Sequence, residues 1–128
     1  MTREETAVQY MKSGYNCCQS VVKALGDLTG IDQNDLNNLA SGFGMGMGCL
    51  EATCGALVGA VMMIGPVTEE KKNVLIARQI LKQFEETCGA TLCKDLKGQD
   101  TGVVLCSCPD CVRNAVRAFC DVVLQQKD

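Results

Sequence analysis

Ten cysteines in 128 residues, with no histidine, put sulfur at the centre of any chemistry this chain performs. The missing histidine excludes Ser-His-Asp and Cys-His catalysis and every imidazole metal site. The acidic residues fall on helix faces read as exposed, with no carboxylate pair set up for acid–base work. Sulfur-based redox or metal chemistry is what remains. The segment Cys106-Ser107-Cys108-Pro109-Asp110-Cys111 can be read in two ways. As C-x-C-x-x-C it offers three ligands of a thiolate cluster, with the fourth from elsewhere. As Cys108 with Cys111 it is a dithiol at a helix start, the placement used for disulfide exchange. That second reading lacks the strand–helix–strand setting of thioredoxin-like folds, and Asp110 opposes thiolate formation. A second candidate dithiol is Cys49 with Cys54.

The other cysteines sort by position. Cys17 and Cys18 follow Asn16 in the first turn of a helix, and Cys49 and Cys54 flank the start of another. Free N–H groups and the partial positive charge of a helix N-terminus favour thiolate over thiol. Cys49 and Cys54 are five apart, about 140° around a helix, so they converge only if Cys49 precedes it. Cys111 and Cys120 are nine apart, about 180° around and roughly 13 Å along, and cannot share a metal from one helix. Cys120, Cys88 and Cys18 lie on apolar stripes and read as small core hydrophobes. Cys54, Cys93 and Cys108 read as functional.

These residues need elements to hold them, and the pattern is helical almost throughout. Thr2 and Glu5 predict a capped first helix carrying Ala7, Val8 and Met11, ended by Gly14. Asn16 caps a second helix with Cys18, Val21, Val22 and Leu25 on one stripe. Asp32 caps a third, with Leu36, Leu39, Ala40 and Phe43 inward. The glycine-rich run from Gly42 to Gly48 holds no regular structure. It follows a helix and no lysine comes after it, so neither nucleotide-binding fingerprint fits. Met45, Met47, Met62 and Met63 offer soft donors for copper(I), but methionine in a helical core is usually filler.

A fourth, central helix is expected from about Leu50 to Ile64, stopped by Gly65-Pro66. Its Gly55 and Gly59 leave a face where a backbone or cofactor can approach closely. Thr68-Glu69-Glu70 predicts the start of a fifth, with a stripe of Val74, Ala77, Leu81, Phe84 and Cys88, ended by Gly89. Cys93 falls in a short turn. Pro109 opens the last helix, through Val112, Val116, Phe119 and Val123. The expectation is one all-α domain over residues 1–128, a bundle of about five to six helices with a glycine-rich loop before the central one.

Apolar residues make up 47% and charged residues 21%, a globular composition, and the net charge of −3 argues against nucleic acid as a partner. The start, Met1-Thr2-Arg3-Glu4-Glu5, has no apolar signal core, and the longest strongly apolar run, Cys54 to Gly65, is far below the roughly 20 residues a bilayer needs. A cytoplasmic protein with reduced thiols and no membrane partner is therefore expected.

Four spaced segments resemble a known family. Gly14-Tyr15-Asn16-Cys17-Cys18-Gln19-Ser20-Val21, the glycine loop into Thr53-Cys54-Gly55-Ala56-Leu57-Val58-Gly59-Ala60, Cys93-Lys94-Asp95-Leu96 and Cys108-Pro109-Asp110-Cys111-Val112 are similar to the bacterial redox-active "C_GCAxxG_C_C" proteins. The resemblance spans about residues 5 to 123 and marks Cys17, Cys54, Cys93 and Cys108 as the family quartet. Cys18 stands where a small residue such as serine is expected. Cys49, preceded by Gly48, is the other match to the glycine–cysteine motif. The resemblance implies a helical redox-active protein and an association with iron–sulfur clusters. Three functions follow: an iron–sulfur protein for electron transfer or redox sensing, with Cys17, Cys54, Cys93 and Cys108 as metal ligands and Cys49, Cys106 and Cys111 as substitutes or a second site; a metal-free dithiol–disulfide oxidoreductase; or a structural zinc or copper(I) thiolate protein. A redox partner protein is implied, and homodimer formation stays open.

Overall fold

The computed structural model describes residues 1–68 and 72–124. Among them the chain forms eight α-helices and no sheet: α1 (Arg3–Lys12), α2 (Cys17–Leu25), α3 (Gln33–Ala40), α4 (Gly55–Met62), α5 (Ile64–Thr68), α6 (Asn73–Cys88), α7 (Cys93–Leu96) and α8 (Cys108–Phe119), the last continuing into a tight turn, Cys120–Leu124. The caps follow local side-chain chemistry. Thr2 accepts the Glu5 N–H at 3.1 Å. Asn16 and Gln19 close a reciprocal box at the start of α2. Ser107 caps α8 ahead of Pro109.

The core lies between α2, α4 and α8, with α1 and α6 against its flanks. Val21, Val22 and Leu25 of α2, Ala56, Leu57 and Ala60 of α4, and Val112, Val116 and Phe119 of α8 are buried. On the outside, Arg113 and Arg117 of α8 pair with Glu5 and Glu4 of α1. The close-approach face of α4 is used by α2: a Cβ added at Gly59 would come within 3.0 Å of the Cys18 carbonyl oxygen.

Four expectations need correction. The central helix begins at Gly55, not Leu50, with Cys54 as its cap, because Met45, Met47 and Leu50 take left-handed backbone conformations that break any helix through 46–50. Gly65-Pro66 does not end the helical path; the break falls at Met63, and both residues lie in α5, where a proline in the first turn sacrifices no intrahelical bond. Leu39 is exposed, so α3 buries only Leu36 and Ala40. On α6 the inward stripe is Ile80, Phe84 and Cys88, while Val74 and Leu81 face outward. Glu69 and Glu70 lie outside the described residues.

Candidate thiol centre

The site begins with a short backbone pairing. Thr53 and Leu92 form an isolated antiparallel bridge; beside it, the Cys54 N–H donates to the Thr91 carbonyl at 2.8 Å and the Cys93 N–H to the Ala52 carbonyl at 3.0 Å. Alternation along paired strands puts Cys54 and Cys93 on the same face of this bridge. Each then opens a helix, Cys54 as the cap of α4 and Cys93 as the first residue of α7. Cys17 opens α2 and Cys108 opens α8.

Two glycines let these pieces close. A Cβ at Gly55 would lie 2.6 Å from Cys17 Sγ and 2.6 Å from the Phe43 carbonyl oxygen. Gly46 has φ 57°, and a Cβ there would meet Cys93 Cβ at 2.7 Å. The loop around Gly46 is costly, since Met45, Met47 and Leu50 each hold a positive φ that disfavours an L-residue by roughly 1–2 kcal/mol.

The result is a cavity of about 530 Å³ lined by Cys17, Cys54, Cys93, Cys108 and Cys111, with the half-buried Lys97 among them. Met11, Tyr15, Met45 and Leu50 add an apolar wall. Cys17, Cys54, Cys93 and Cys111 are buried and Cys108 is half-buried. Backbone N–H groups of Met45 and Cys18 face the Cys17 sulfur, and those of Ala56 and Leu57 face Cys54. They favour thiolates, but other effects win. Burial pushes Cys17 up, helped by charge on Cys54 and Cys108. Burial and Cys54 push Cys93 up to about 11, against the pull of Lys97. The neighbouring Cys111 and then burial push Cys54 far above the ordinary thiol range. Burial opposes the charge on Lys97, yet Cys111 and Cys108 more than offset that and raise its pKa. Raised thiol pKa values thus surround one cation, Lys97.

Behind the cavity lies a second group. The sulfurs of Cys88, Cys106 and Cys111 lie within 4.8 Å of one another, all buried, near enough to hold one metal ion. Asn114 Nδ2 donates to Cys88 Sγ at 3.3 Å and to Cys106 Sγ at 3.8 Å, and Lys97 Nζ donates to Cys111 Sγ at 3.5 Å. Cys54 pulls the Cys111 pKa down, but Cys88 and burial leave it raised. Cys111 thus belongs to both groups.

The sequence-derived quartet Cys17, Cys54, Cys93 and Cys108 lines one cavity, joined by Cys111. Cys49 is exposed, bonded to the Gly46 carbonyl at 3.6 Å, and is not part of the lining. The sulfur of Cys111 lies with those of Cys88 and Cys106, while Cys108 is half-buried on the cavity wall. Sequence reasoning missed Cys88, because the last residue of an amphipathic helix looks like core until its neighbours from the loop before α8 are known. It also missed Lys97, one of two lysines in a polar stretch. Cys18 packs behind Cys17 against Met62 Sδ at 3.7 Å, and Cys120 is half-buried beyond the end of α8.

Thiols are the donor type that binds soft metals and iron–sulfur clusters, and here they come with backbone N–H groups aimed at sulfur and a compensating cation. The residues present fit such a group. Among the described residues no helix is long and apolar enough to cross a membrane. No curated protein and no solved structure matches the chain. Residues 15–122 match the family described as "Putative redox-active protein (C_GCAxxG_C_C)". With five thiols on one cavity and most of its length matched, the chain belongs to this redox-active C_GCAxxG_C_C family.

Proposed function

We propose that this is a cytoplasmic redox protein, one domain over residues 1–128, that carries an iron–sulfur cluster for electron transfer or redox sensing. The observation behind this reading is the meeting of Cys17, Cys54, Cys93 and Cys108, from segments far apart along the chain, on one cavity. These four would hold the cluster. When bound, it supplies one-electron transfer. The protein does the rest: the N–H groups of Met45, Cys18, Ala56 and Leu57 temper charge on sulfur, and Lys97 offsets the net negative charge of the site. Met11, Met45 and Leu50 limit water. Purification without oxygen is expected to give a brown protein containing iron and acid-labile sulfide, with Cys17→Ser and Cys93→Ser each losing most of both. A colourless, iron-free protein that cannot be reconstituted anaerobically would refute the proposal.

One pairing favours a second reading, a metal-free dithiol–disulfide couple. Cys54 and Cys111 are both buried on one cavity and each strongly affects the other's pKa, which makes them better partners than Cys108 with Cys111 or Cys49 with Cys54. In that case, metal-free protein shows a two-electron midpoint potential that Cys111→Ser abolishes and Cys93→Ser does not.

A further inference from the structure

We propose that Cys88, Cys106 and Cys111 form a second thiolate site, distinct from the quartet, that takes a soft monovalent cation of the copper(I) class. Three sulfurs from separate elements, the end of α6, the loop before α8 and the first turn of α8, lie within 4.8 Å of one another. Three-fold thiolate coordination suits copper(I), whereas a structural zinc site requires four ligands. Among the described residues, no fourth group lies within that distance of all three sulfurs, and the chain has no histidine to supply one.

The surroundings are built for sulfur that carries charge. Asn114 turns its amide N–H groups on Cys88 and Cys106, and the Lys97 ammonium faces Cys111, so each sulfur has an N–H donor. Outer donors of this kind orient ligands and tune a metal site. Lys97 offsets one of three thiolate charges; a monovalent ion offsets a second, and Asn114 faces what remains. Binding breaks three S–H bonds, forms three metal–sulfur bonds and releases three protons to solvent. Neither sulfur nor metal changes oxidation state, provided the ion arrives already reduced. The site adjoins the quartet through Cys111, which also lines the cavity, yet needs none of Cys17, Cys93 or Cys108.

The test uses the metal-free, full-length protein under anaerobic conditions, with copper(I) supplied as its bicinchoninate complex. Cys17→Ser/Cys93→Ser is expected to retain one tightly held equivalent, with the luminescence of a solvent-shielded copper(I) thiolate. Adding Cys106→Ser should remove the emission and weaken retention at least tenfold. X-ray absorption at the copper edge of Cys17→Ser/Cys93→Ser, which needs no change in the triad, is expected to find three sulfur neighbours. Two or four sulfurs, emission that disappears with Cys17 and Cys93, or zinc displacing copper(I) at equal concentration would each overturn the proposal. Because copper is read in protein stripped of iron, absence of a cluster leaves this test intact.

Discussion

Cys54 and Cys111 share the wall of one cavity, and Cys111 also belongs to the buried triad behind it. The pair links the cap of α4 to the first turn of α8. Mild oxidation of metal-free protein is therefore expected to cross-link Cys54 with Cys111 before any other pair. Peptide mapping by mass spectrometry checks this; a dominant Cys108–Cys111 link would contradict it.

Gly55→Ala tests how tightly α2 and α4 must close. The new Cβ would sit 2.6 Å from Cys17 Sγ and from the Phe43 carbonyl oxygen, a backbone atom that cannot swing aside. Overpacking of this kind costs about 1–3 kcal/mol, and here it also displaces Cys17. Urea denaturation should register the loss of stability, and metal analysis should show poorer retention of iron.

Asn16 holds two structures at once. Its Oδ1 accepts the Gln19 N–H at 2.9 Å, capping α2, and its Nδ2 donates to the Ser41 carbonyl at 3.0 Å ahead of the glycine loop. Asn16→Ala should lower stability by about 1 kcal/mol for the cap alone. Faster amide hydrogen exchange is expected in the first turn of α2.

Lys97 is surrounded by sulfur, with its Nζ also bonded to the Cys106 carbonyl at 3.2 Å. A cation beside a redox centre stabilises the more negative, reduced state. Lys97→Met should therefore lower the midpoint potential of the cluster-bearing protein by tens of millivolts, read by anaerobic redox titration.

The raised thiol pKa values give metal-free protein a definite pH response. Burial holds Cys18 up to about 12, and burial with charge on Cys54 holds Cys93 up to about 11, against an ordinary value of 9.0. Between these limits the unfolded chain has released protons that the folded chain still binds, so stability falls as pH rises. It is fully present below about pH 9 and declines through pH 11 to 12. Denaturation midpoints measured from pH 8 upward should decrease, and Cys18→Ala/Cys93→Ala should flatten the slope.

The helical plan was legible from local chemistry. Thr2 with Glu5, Asn16, Asp32 and Pro109 act within four residues of themselves, so the helices they open could be read along the chain. Errors arose where distant contacts outweighed local pattern. Leu39 and Leu81 have the spacing of core residues but face solvent, because nothing in their own helices specifies where α2 or α8 will lie. The glycine run was legible as a break in the helical path, but its extension past Leu50 was not, since leucine is a good helix former and nothing local marks its left-handed backbone.

The thiol centre divides the same way. Residue types and spacing determined by themselves that this is a histidine-free helical protein with cysteines gathered at helix starts, because composition and capping are local properties. Only the tertiary structure decided that Lys97 stands among the sulfurs, that Cys88 joins Cys106 and Cys111, and that Cys49 stays outside. Those outcomes depend on how α6, α7 and α8 pack, and the distance between two sulfurs on different helices is written in no single stretch of chain.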